Sequence, residues 1–290
     1  MTSLVDHGIV APNAELERLL TGYMFLEGPA WDADNDRLIF SDIPASVMYS
    51  WSPDSGVAVF RAPSDKANGN TFDSSGRLIS CHHATSSVTR TESDGTIATI
   101  ASHYEGFELN SPNDVIVGAD GAIYFTDPSY GRLEYYGVAR ETQLDYRGLY
   151  RLGTDGVLSL LASDFDQPNG LCFTPDGALL VCDTERFHIR RFDVSQPDAV
   201  TGGEVWATVE GEGDGAPDGL KCDSRGNVYC TGPGGVHVFD ASASWLGRID
   251  VPEGCANFTF GGTDGATLFL TASTSLYSIR MALPSDGVSD

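Results

Sequence analysis

Short apolar runs separated by turn residues follow one another along most of the chain. In the segment NGLCFTPDGALLVCDT, which starts at Asn169, an apolar run is followed by the pair Asp176-Gly177 and then by a second apolar run. Two such runs around a glycine turn are typical of an antiparallel β-hairpin. Only residues 11–20 (APNAELERLL) have a helix-like pattern, and the same stretch is compatible with the approach to a strand. The pattern therefore predicts an all-β chain.

The same hairpin pattern occurs six times. Each copy opens with a small polar or acidic residue, continues with an apolar run and reaches a turn residue eight positions later. The copies are roughly 40 to 55 residues apart, which is the length of a four-stranded propeller blade. We therefore expect an all-β, six-bladed β-propeller with a central channel, formed by residues 1–290 as a single domain with blades at about 27–281. A β-sandwich with irregular hairpins is the alternative. The copies open at Glu27, Asn68, Asn113, Asn169, Asp218 and Asn257, with turn residues Asn35, Gly76, Gly121, Gly177, Gly226 and Gly265.

The six opening residues are expected to form a ring around the channel, because the innermost strand of every propeller blade lines the axis. Amide and carboxylate oxygens are the ligands that Ca²⁺ and other hard divalent cations prefer. The two carboxylates, Glu27 and Asp218, would balance the charge of one such cation. Taken singly, an Asn-Gly or Asp-Gly pair before a strand is more often only a turn. The shared register of all six copies favours the ring.

The charge of the chain restricts its partners. Lys and Arg number 17 and Asp and Glu number 41, so the formal net charge is −24. A strongly acidic surface repels nucleic-acid phosphates and anionic lipids, and we expect neither nucleic acid nor a membrane as a partner. The charge is compatible with a cation site, and also with a solvated acidic surface of no special function. The sequence leaves the oligomeric state open.

The first residues and the cysteines bear on the compartment. The first seven residues have neither the basic nor the apolar region of a signal peptide, and no apolar run approaches the length of a membrane span. The six cysteines lie in apolar runs and form no C-x-x-C pair. We therefore expect a cytoplasmic protein with reduced, buried thiols. Bridges from Cys172 to Cys182 and from Cys222 to Cys230 are the alternative.

Three further features carry candidate chemistry near the channel. His82 and His83 follow the second hairpin and are candidates for substrate contact, with partly exposed histidines of no function as the alternative. The TDPSYG motif either places Tyr130 at the channel mouth or only ends a strand. The excursion at residues 135–148 is either a lid or a surface insertion.

Several segments resemble the gluconolactonase / senescence marker protein (regucalcin) family of six-bladed propellers. They are LEGPAW, SPNDVIVGADGAIYFTDPSYG, PNGLCFTPDGALLVCDT and APDGLKCDSRGNVYC, and the motifs TDPSYG and VTRTESDG favour the gluconolactonase-like branch. The resemblance implies one divalent metal ion, Ca²⁺ first, with Mg²⁺, Mn²⁺, Zn²⁺ or Fe²⁺ as alternatives. By this resemblance its ligands are Glu27, Asn113, Asn169 and Asp218, which are four of the six ring residues. Bacterial relatives often carry a Glu-His pair where this chain has His82-His83.

The resemblance predicts a hydrolase that opens a lactone ring, in particular an aldonolactone such as gluconolactone, with the metal as Lewis acid. Asp218 is the candidate base or water-positioning residue, with His83 as another proton carrier and direct attack by Asp218 as a further route. Ser111 stands where the regucalcin branch has a substrate-binding Arg, so sugar-acid recognition of that kind is not expected. The predicted substrate contacts are Asn68, His82, His83, Tyr130 and Asn257.

Two other functions compete with lactone hydrolysis. One is hydrolysis of organophosphate triesters with the same metal, and the other is a non-catalytic calcium-binding propeller. A pure scaffold has no need of matched carboxylates on its axis, and the predicted ring therefore favours an enzyme.

Overall fold

The structure is a computed structural model that describes residues 3–196 and 199–282 and the backbone of 288–289. Its first fifteen strands are β1 (Glu17–Thr21), β2 (Leu26–Asp32), β3 (Arg37–Asp42), β4 (Val47–Ser52), β5 (Gly56–Arg61), β6 (Ala67–Phe72), β7 (Leu78–His82), β8 (Ser87–Thr91), β9 (Ile97–Ala101), β10 (His103–Tyr104), β11 (Phe107–Glu108), β12 (Val115–Val117), β13 (Ile123–Asp127), β14 (Gly148–Leu152) and β15 (Leu158–Ala162). The later strands are β16 (Pro168–Phe173), β17 (Leu179–Asp183), β18 (His188–Gln196), β19 (Ala199–Thr208), β20 (Leu220–Asp223), β21 (Val228–Gly232), β22 (Gly235–Phe239), β23 (Trp245–Asp250), β24 (Cys255–Gly261), β25 (Thr267–Ala272), β26 (Ser275–Arg280) and β27 (Val288–Ser289).

These strands form six antiparallel blades around a central channel. Blades 1 to 5 are the meanders β2–β5, β6–β9, β12–β15, β16–β19 and β20–β23, each running from the channel outward. β27 pairs with β20 in antiparallel orientation. β10 and β11 form a separate hairpin between blades 2 and 3. The predicted all-β six-bladed propeller is therefore confirmed.

Blade 6 joins the two ends of the chain. Its three inner strands are β24–β26, and its outer strand is β1, which pairs with β26. The stretch 11–20, which has a helix-like pattern, therefore leads into a strand. Its residues from Glu17 onward belong to β1, where Leu19 and Leu20 pack against the core between blades 6 and 1. Helical turns in the described residues are limited to the 3₁₀ segments Tyr130–Arg132 and Thr184–Arg186. No helix in this part of the chain is long and apolar enough to cross a membrane.

Apolar side chains fill the interfaces between neighbouring blades. The buried residues of the described chain fall into six clusters, and each cluster joins two adjacent blades. Between blades 6 and 1, for example, the rings of Trp31 and Phe269 stack with their centroids 5.4 Å apart. Burial of apolar surface between blades therefore holds the ring together and fixes the positions of the innermost strands.

The cysteines belong to this apolar interior. All six are buried and free, as expected for reduced thiols. Neither bridge considered from the sequence is present. The nearest sulfur pair instead joins neighbouring blades, with Cys182 Sγ 3.5 Å from Cys230 Sγ.

The turns between the first two strands of each blade follow the predicted register with one exception. In blades 2 to 6 the turn glycine has φ between 66° and 85°, the left-handed region that glycine enters at no steric cost. In blade 1 the left-handed residue is Asp36, with φ 47°, and the predicted Asn35 is wrong by one position. The first hairpin carries one more residue before its turn than the second.

Glycine follows the ring residue in four blades because the innermost strands nearly touch. A Cβ atom added to Gly28, Gly69, Gly170 or Gly219 would lie 1.8–2.4 Å from an atom of the next ring residue around the channel. The backbone N–H of Gly170 also donates to the carbonyl oxygen of Asp218 over 2.9 Å. These contacts place the ring residues side by side.

The close approach leads to a stability prediction for Gly170→Ala. Its Cβ would lie 2.0 Å from the carbonyl oxygen of Asp218, so two inner strands would have to separate. We expect the free energy of unfolding in urea to fall by about 3 kcal/mol. Gly254→Ala is the control, because its Cβ would meet nothing closer than 3.5 Å, and it should change stability by less than about 1 kcal/mol. Equal losses in the two variants would contradict the close packing of the inner strands.

Candidate active site

A cavity of about 200 Å³ lies at the end of the channel where the ring residues begin their strands. It brings together all four residues that the resemblance implied as metal ligands, and three of the five predicted substrate contacts. The residues that line it are Phe25, Glu27, Ile43, Asn68, His83, Asn113, Tyr130, Tyr136, Asn169, Thr184 and Asp218.

Irregular strand pairing turns the ring side chains toward the axis. In β2, β6, β16 and β24 the pairing with the next strand is interrupted by a register shift. The ring residue lies within or at the edge of each shift. Such bulges change the direction of a side chain and are common next to active sites. In blades 3 and 5 the ring residues Asn113 and Asp218 instead lie two positions before the strand begins.

Three buried aspartates anchor the segments that lead into Glu27, Asn113 and Asn169. Each aspartate ends the second strand of its blade, and its carboxylate accepts hydrogen bonds from two consecutive backbone N–H groups just ahead of the ring residue. Charge-assisted bonds of this kind are stronger than neutral ones and fix the backbone on which the ring side chain stands. The bonds are Asp42 to Met24 and Phe25 (3.0 and 3.1 Å), Asp127 to Asn110 and Ser111 (2.8 and 2.7 Å), and Asp183 to Asp166 and Gln167 (3.0 and 2.9 Å).

Thr184 determines which atom of Asn169 faces the cavity. The Thr184 hydroxyl donates to the carbonyl oxygen of Pro217 over 2.7 Å, and it therefore accepts the 3.2 Å bond from Nδ2 of Asn169. Oδ1 of Asn169 is buried and has no hydrogen-bond partner. The side chain therefore offers an oxygen, not an amino group, to whatever the cavity binds.

The two ring carboxylates, of which Glu27 is buried and Asp218 partly buried, lie near a third acid, Asp114. Glu27 accepts a 3.1 Å bond from Nδ2 of Asn257 and a short bond from the N–H of Gly28. Burial, together with the charge of Asp114, raises the pKa of Glu27 to about 8. Burial and the charge of Glu27 also raise the pKa of Asp218. Without a positive charge between them, these carboxyl groups hold their protons well above the usual range.

Asp114, which follows Asn113, occupies the place that a glycine takes in four other blades. Its burial raises its own pKa, and the positive charge of Lys221 opposes that shift. Lys221 lines the channel beyond the ring, on the side away from the cavity. Neither residue was predicted, because a charged side chain inside an apolar-looking run gives no sign from the sequence of where it points.

The donor set fits a hard divalent cation. In the described part of the chain, no three His, Cys, Asp or Glu side chains lie close enough to hold a metal, so amide oxygens would have to complete the site. The two ring carboxylates and the two ring amides, Asn113 and Asn169, supply oxygen ligands, and Oδ1 of Asn169 has no other partner. Ca²⁺ and Mg²⁺ prefer this chemistry over thiolate or imidazole.

His83 lines the cavity but does not fit the predicted role of proton carrier. Its Nδ1 lies 3.0 Å from the carbonyl oxygen of Tyr136, and its Nε2 lies 3.1 Å from Nδ2 of Asn68. Burial lowers the pKa of His83 to about 4. Both ring nitrogens are occupied by protein groups, so a proton transfer through this ring would first have to break one of the two bonds.

Two other predicted substrate contacts, His82 and Asn257, do not line the cavity. His82 bonds to the carbonyl oxygen of Ser64 through Nδ1 (2.9 Å) and to the hydroxyl of Thr89 through Nε2 (2.8 Å), inside blade 2. Nδ2 of Asn257 donates to Glu27, and its Oδ1 accepts a bond from the N–H of Phe258. His82 therefore supports its own blade, and Asn257 holds a ring carboxylate in place.

The excursion after the TDPSYG motif forms a roof over the cavity. Tyr136 lines the cavity, and its ring packs edge-to-face on Phe25 at 5.1 Å. Tyr135 donates from its hydroxyl to the carbonyl of Met24 (3.2 Å), and its own carbonyl accepts from Nζ of Lys66 (3.1 Å). A segment of blade 3 thus reaches across to blades 1 and 2.

Four lining residues were missed in the sequence, namely Phe25, Ile43, Tyr136 and Thr184. A usable signal exists for two of them. Ile43 and Thr184 immediately follow the second strand of their blades, as does His83. All three line the cavity, so this position of the repeat contributes to the cavity in blades 1, 2 and 4. Tyr136 lies in a segment that does not repeat, and the position of Phe25 is occupied by Ser111 and Gln167 in blades 3 and 4, so its residue type gives no repeated signal.

The fold and the site together define a class, that of six-bladed propellers with an oxygen-rich site on the axis. Within this class the chain belongs to the family described as SMP-30/Gluconolactonase/LRE-like region, whose profile matches residues 25–274. The recognised resemblance is thereby confirmed.

Individual relatives agree with this assignment. The gluconolactonase of Zymomonas mobilis is 30% identical over 94% of this chain and 83% of its own length. The solved structure of XC5397 from Xanthomonas campestris, described as a gluconolactonase, is 33% identical with a TM-score of 0.90, covering 97% of this chain and 93% of that one. Regucalcin from Agrobacterium tumefaciens, described as a calcium-binding protein, shares the fold at 20% identity and a TM-score of 0.74, covering 94% and 93%.

Proposed function

We propose that this chain acts as a single-domain hydrolase that opens a sugar lactone, in particular an aldonolactone such as gluconolactone, and that it requires a divalent cation, Ca²⁺ first. The observation that carries the proposal is the meeting of Glu27, Asn113, Asn169 and Asp218 in one cavity on the propeller axis. Family membership and the lactonases among the relatives support the substrate class.

The four ring residues would hold the cation. A divalent cation bound there would supply Lewis acidity to the lactone carbonyl oxygen and lower the cost of its negative charge during attack. Thr184 keeps an oxygen of Asn169 turned into the cavity, and Asn257 keeps Glu27 in position. Both supports are in place before substrate enters, so little reorganisation is needed when charge develops.

Asp218 is the proposed water-positioning carboxylate. It is a partly buried ring residue that lines the cavity, where it can accept a hydrogen bond from the attacking water. As the water oxygen bonds to the acyl carbon, its proton passes to the carboxylate. The bond from the acyl carbon to the ring oxygen then breaks, and the proton returns to the alkoxide that leaves. Label retained in the protein after a single turnover in ¹⁸O-labelled water would reject this route in favour of direct attack by Asp218.

A lactone panel measured with and without chelator tests the proposal. We expect hydrolysis of aldonolactones, loss of the activity after chelation and its return on addition of Ca²⁺. Activity that survives complete metal removal would defeat the metal requirement. Turnover of phosphate triesters but not lactones would point to the phosphotriesterase alternative, and Ca²⁺ binding with no turnover to the non-catalytic one.

The roof gives a prediction for substrate binding. Tyr136→Ala removes the ring that closes the cavity above Phe25, and the substrate would be held less firmly over the ring carboxylates. We expect KM for gluconolactone to rise about tenfold with a smaller change in kcat, a loss of about 1.4 kcal/mol of binding. Val138→Ala, an exposed position in the same excursion, is the control in steady-state kinetics. An unchanged KM in the Tyr136 variant would show that the roof does not touch substrate.

A further inference from the structure

A chain of two hydrogen bonds joins the roof to the floor of the cavity. It runs from the backbone carbonyl of Tyr136 through the imidazole of His83 to the side-chain amide of Asn68, over 3.0 and 3.1 Å. His83 and Asn68 are both buried, and both line the cavity. Each bond restricts the next group in the chain.

The restrictions follow from which groups can donate. A backbone carbonyl only accepts, so Nδ1 of His83 must carry a hydrogen. In a neutral imidazole the other nitrogen, Nε2, is then an acceptor, and Asn68 must turn its NH₂ group toward it. The opposite orientation of Asn68 would need a doubly protonated, charged ring in a fully buried place, which is costly.

The remaining atom of the amide therefore faces the cavity as an oxygen. Oδ1 of Asn68 is buried and has no hydrogen-bond partner, although Nδ2 of the same amide is paired. A buried acceptor without a partner destabilises the free protein, and a ligand that brings a donor removes that cost.

The 3₁₀ turn Tyr130–Arg132, which precedes the roof, also fixes the position of the imidazole ring. A Cβ atom added to Gly131 would lie 2.6 Å from Cγ of His83, so the backbone of this turn packs directly on the ring. Gly137 of the roof packs on the turn, since a Cβ atom added to it would lie 1.7 Å from the Gly131 carbonyl oxygen. The imidazole has little room to rotate while the roof is in place.

We infer that Asn68 is a specificity-determining residue, which accepts a hydrogen bond from a hydroxyl group of the substrate, and that His83 and the Tyr136 carbonyl are the groups that position it. The inference rests on the proposed lactone hydrolysis and extends it to the choice of lactone. A lactone with ring hydroxyls satisfies Oδ1 of Asn68, whereas an unsubstituted lactone leaves it unpaired. A site built to accept from a hydroxyl discriminates strongly against analogues that lack it.

The direction of the two hydrogen bonds that join Tyr136, His83 and Asn68 can be tested without any measurement of activity. Long-range ¹H–¹⁵N correlation spectra of the full-length protein at pH 7 identify the ring nitrogen that carries the proton. The signals of His83 are assigned by their loss in His83→Gln. We expect a neutral ring with hydrogen on Nδ1 and none on Nε2. Hydrogen on Nε2, alone or together with Nδ1, would overturn the inference, because Asn68 would then face the cavity with its amino group.

Kinetics with two lactones of the same ring size tests the role in specificity. For Asn68→Ala we expect kcat/KM for gluconolactone to fall about 10- to 100-fold and that for δ-valerolactone to fall less than about threefold. His83→Asn should reproduce this pattern, because the shorter side chain does not reach the position of Nε2 and Asn68 loses its acceptor there. His83→Gln, whose amide oxygen can still accept from Asn68, should retain most of the preference for gluconolactone.

The outcomes separate the possible roles of Asn68. Equal losses with both lactones, accompanied by weaker Ca²⁺ affinity in calorimetry, would make Asn68 a metal ligand and overturn the inference. If the unmodified protein hydrolysed neither lactone, the proposed function would fail, and the nitrogen spectra would still decide the orientation of the amide.

Discussion

Asp218→Asn is expected to reduce gluconolactone hydrolysis by at least about a thousandfold while the propeller stays folded. The substitution keeps the shape of the side chain and removes one of the two ring carboxylates. It thereby weakens the binding of a cation and removes the acceptor for the proton of the attacking water. Burial and Glu27 both disfavour the charge of Asp218 in the metal-free protein, so its neutral replacement should not destabilise the blades.

The measurement combines single-turnover kinetics, Ca²⁺ titration by calorimetry and thermal unfolding of the same samples. Asp176→Asn is the matched control, since it removes the same charge from an exposed hairpin turn of blade 4. We expect its activity to lie within about twofold of the unmodified protein. An Asp218→Asn protein with full activity would refute the role of this carboxylate, and unchanged Ca²⁺ affinity would refute its role as a ligand.

The metal-free protein is expected to lose stability as the pH rises, with Glu27 as a principal cause. The pKa of Glu27 is raised from 4.5 to about 8 in the folded state, first by burial and then by the charge of Asp114. Between these values the unfolded chain has released this proton and the folded chain still holds it. Because the folded state binds more protons, its free energy of unfolding falls with rising pH over this window.

Glu27→Gln should reverse this loss and, at the same time, abolish stabilisation by Ca²⁺. At pH 9 with chelator present, we expect the variant to be more stable by roughly 3 kcal/mol, which raises Tm by about 5 °C. With excess Ca²⁺ the order should invert, because a cation that binds only the folded state stabilises the unmodified protein.

Scanning calorimetry at pH 5 and pH 9, with and without Ca²⁺, provides the four comparisons. Glu210→Gln is the control for an exposed carboxylate and should change none of them. Burial also raises the pKa of Asp127, to about 7, so part of the pH dependence remains in every variant. A Glu27→Gln protein less stable than the unmodified one at pH 9 without metal would contradict the buried-charge account.

Repetition made the fold and the ring predictable from the sequence. A polar residue at the same place in six hairpins has to occupy equivalent places around an axis, whatever the details of each blade. Symmetry gives a ring of six residues, and the family resemblance selects four of them as ligands. Those four, Glu27, Asn113, Asn169 and Asp218, all line the cavity.

The errors arose where local bonding, not symmetry, decides the direction of a side chain. Asn257 belongs to the ring by register, yet its amide is used by Glu27, and His82 is used by two groups of its own blade. The sequence does not decide between a lid and a surface insertion at residues 135–148, because this segment has no counterpart in the other blades. No periodic signal therefore places Tyr136. Tertiary contacts across blades supply that information, and a single sequence does not display them.

The way blade 6 is closed has a consequence for the order of folding. β1 pairs with β26, and their paired residues Thr21 and Ser275 are 254 positions apart in the sequence. All four residues of the proposed cation site lie between these two strands in the sequence. Closing so long a segment carries a loop entropy that local hairpins avoid, so we expect the seam between β1 and β26 to form late and the affinity for metal to follow the closure of the ring.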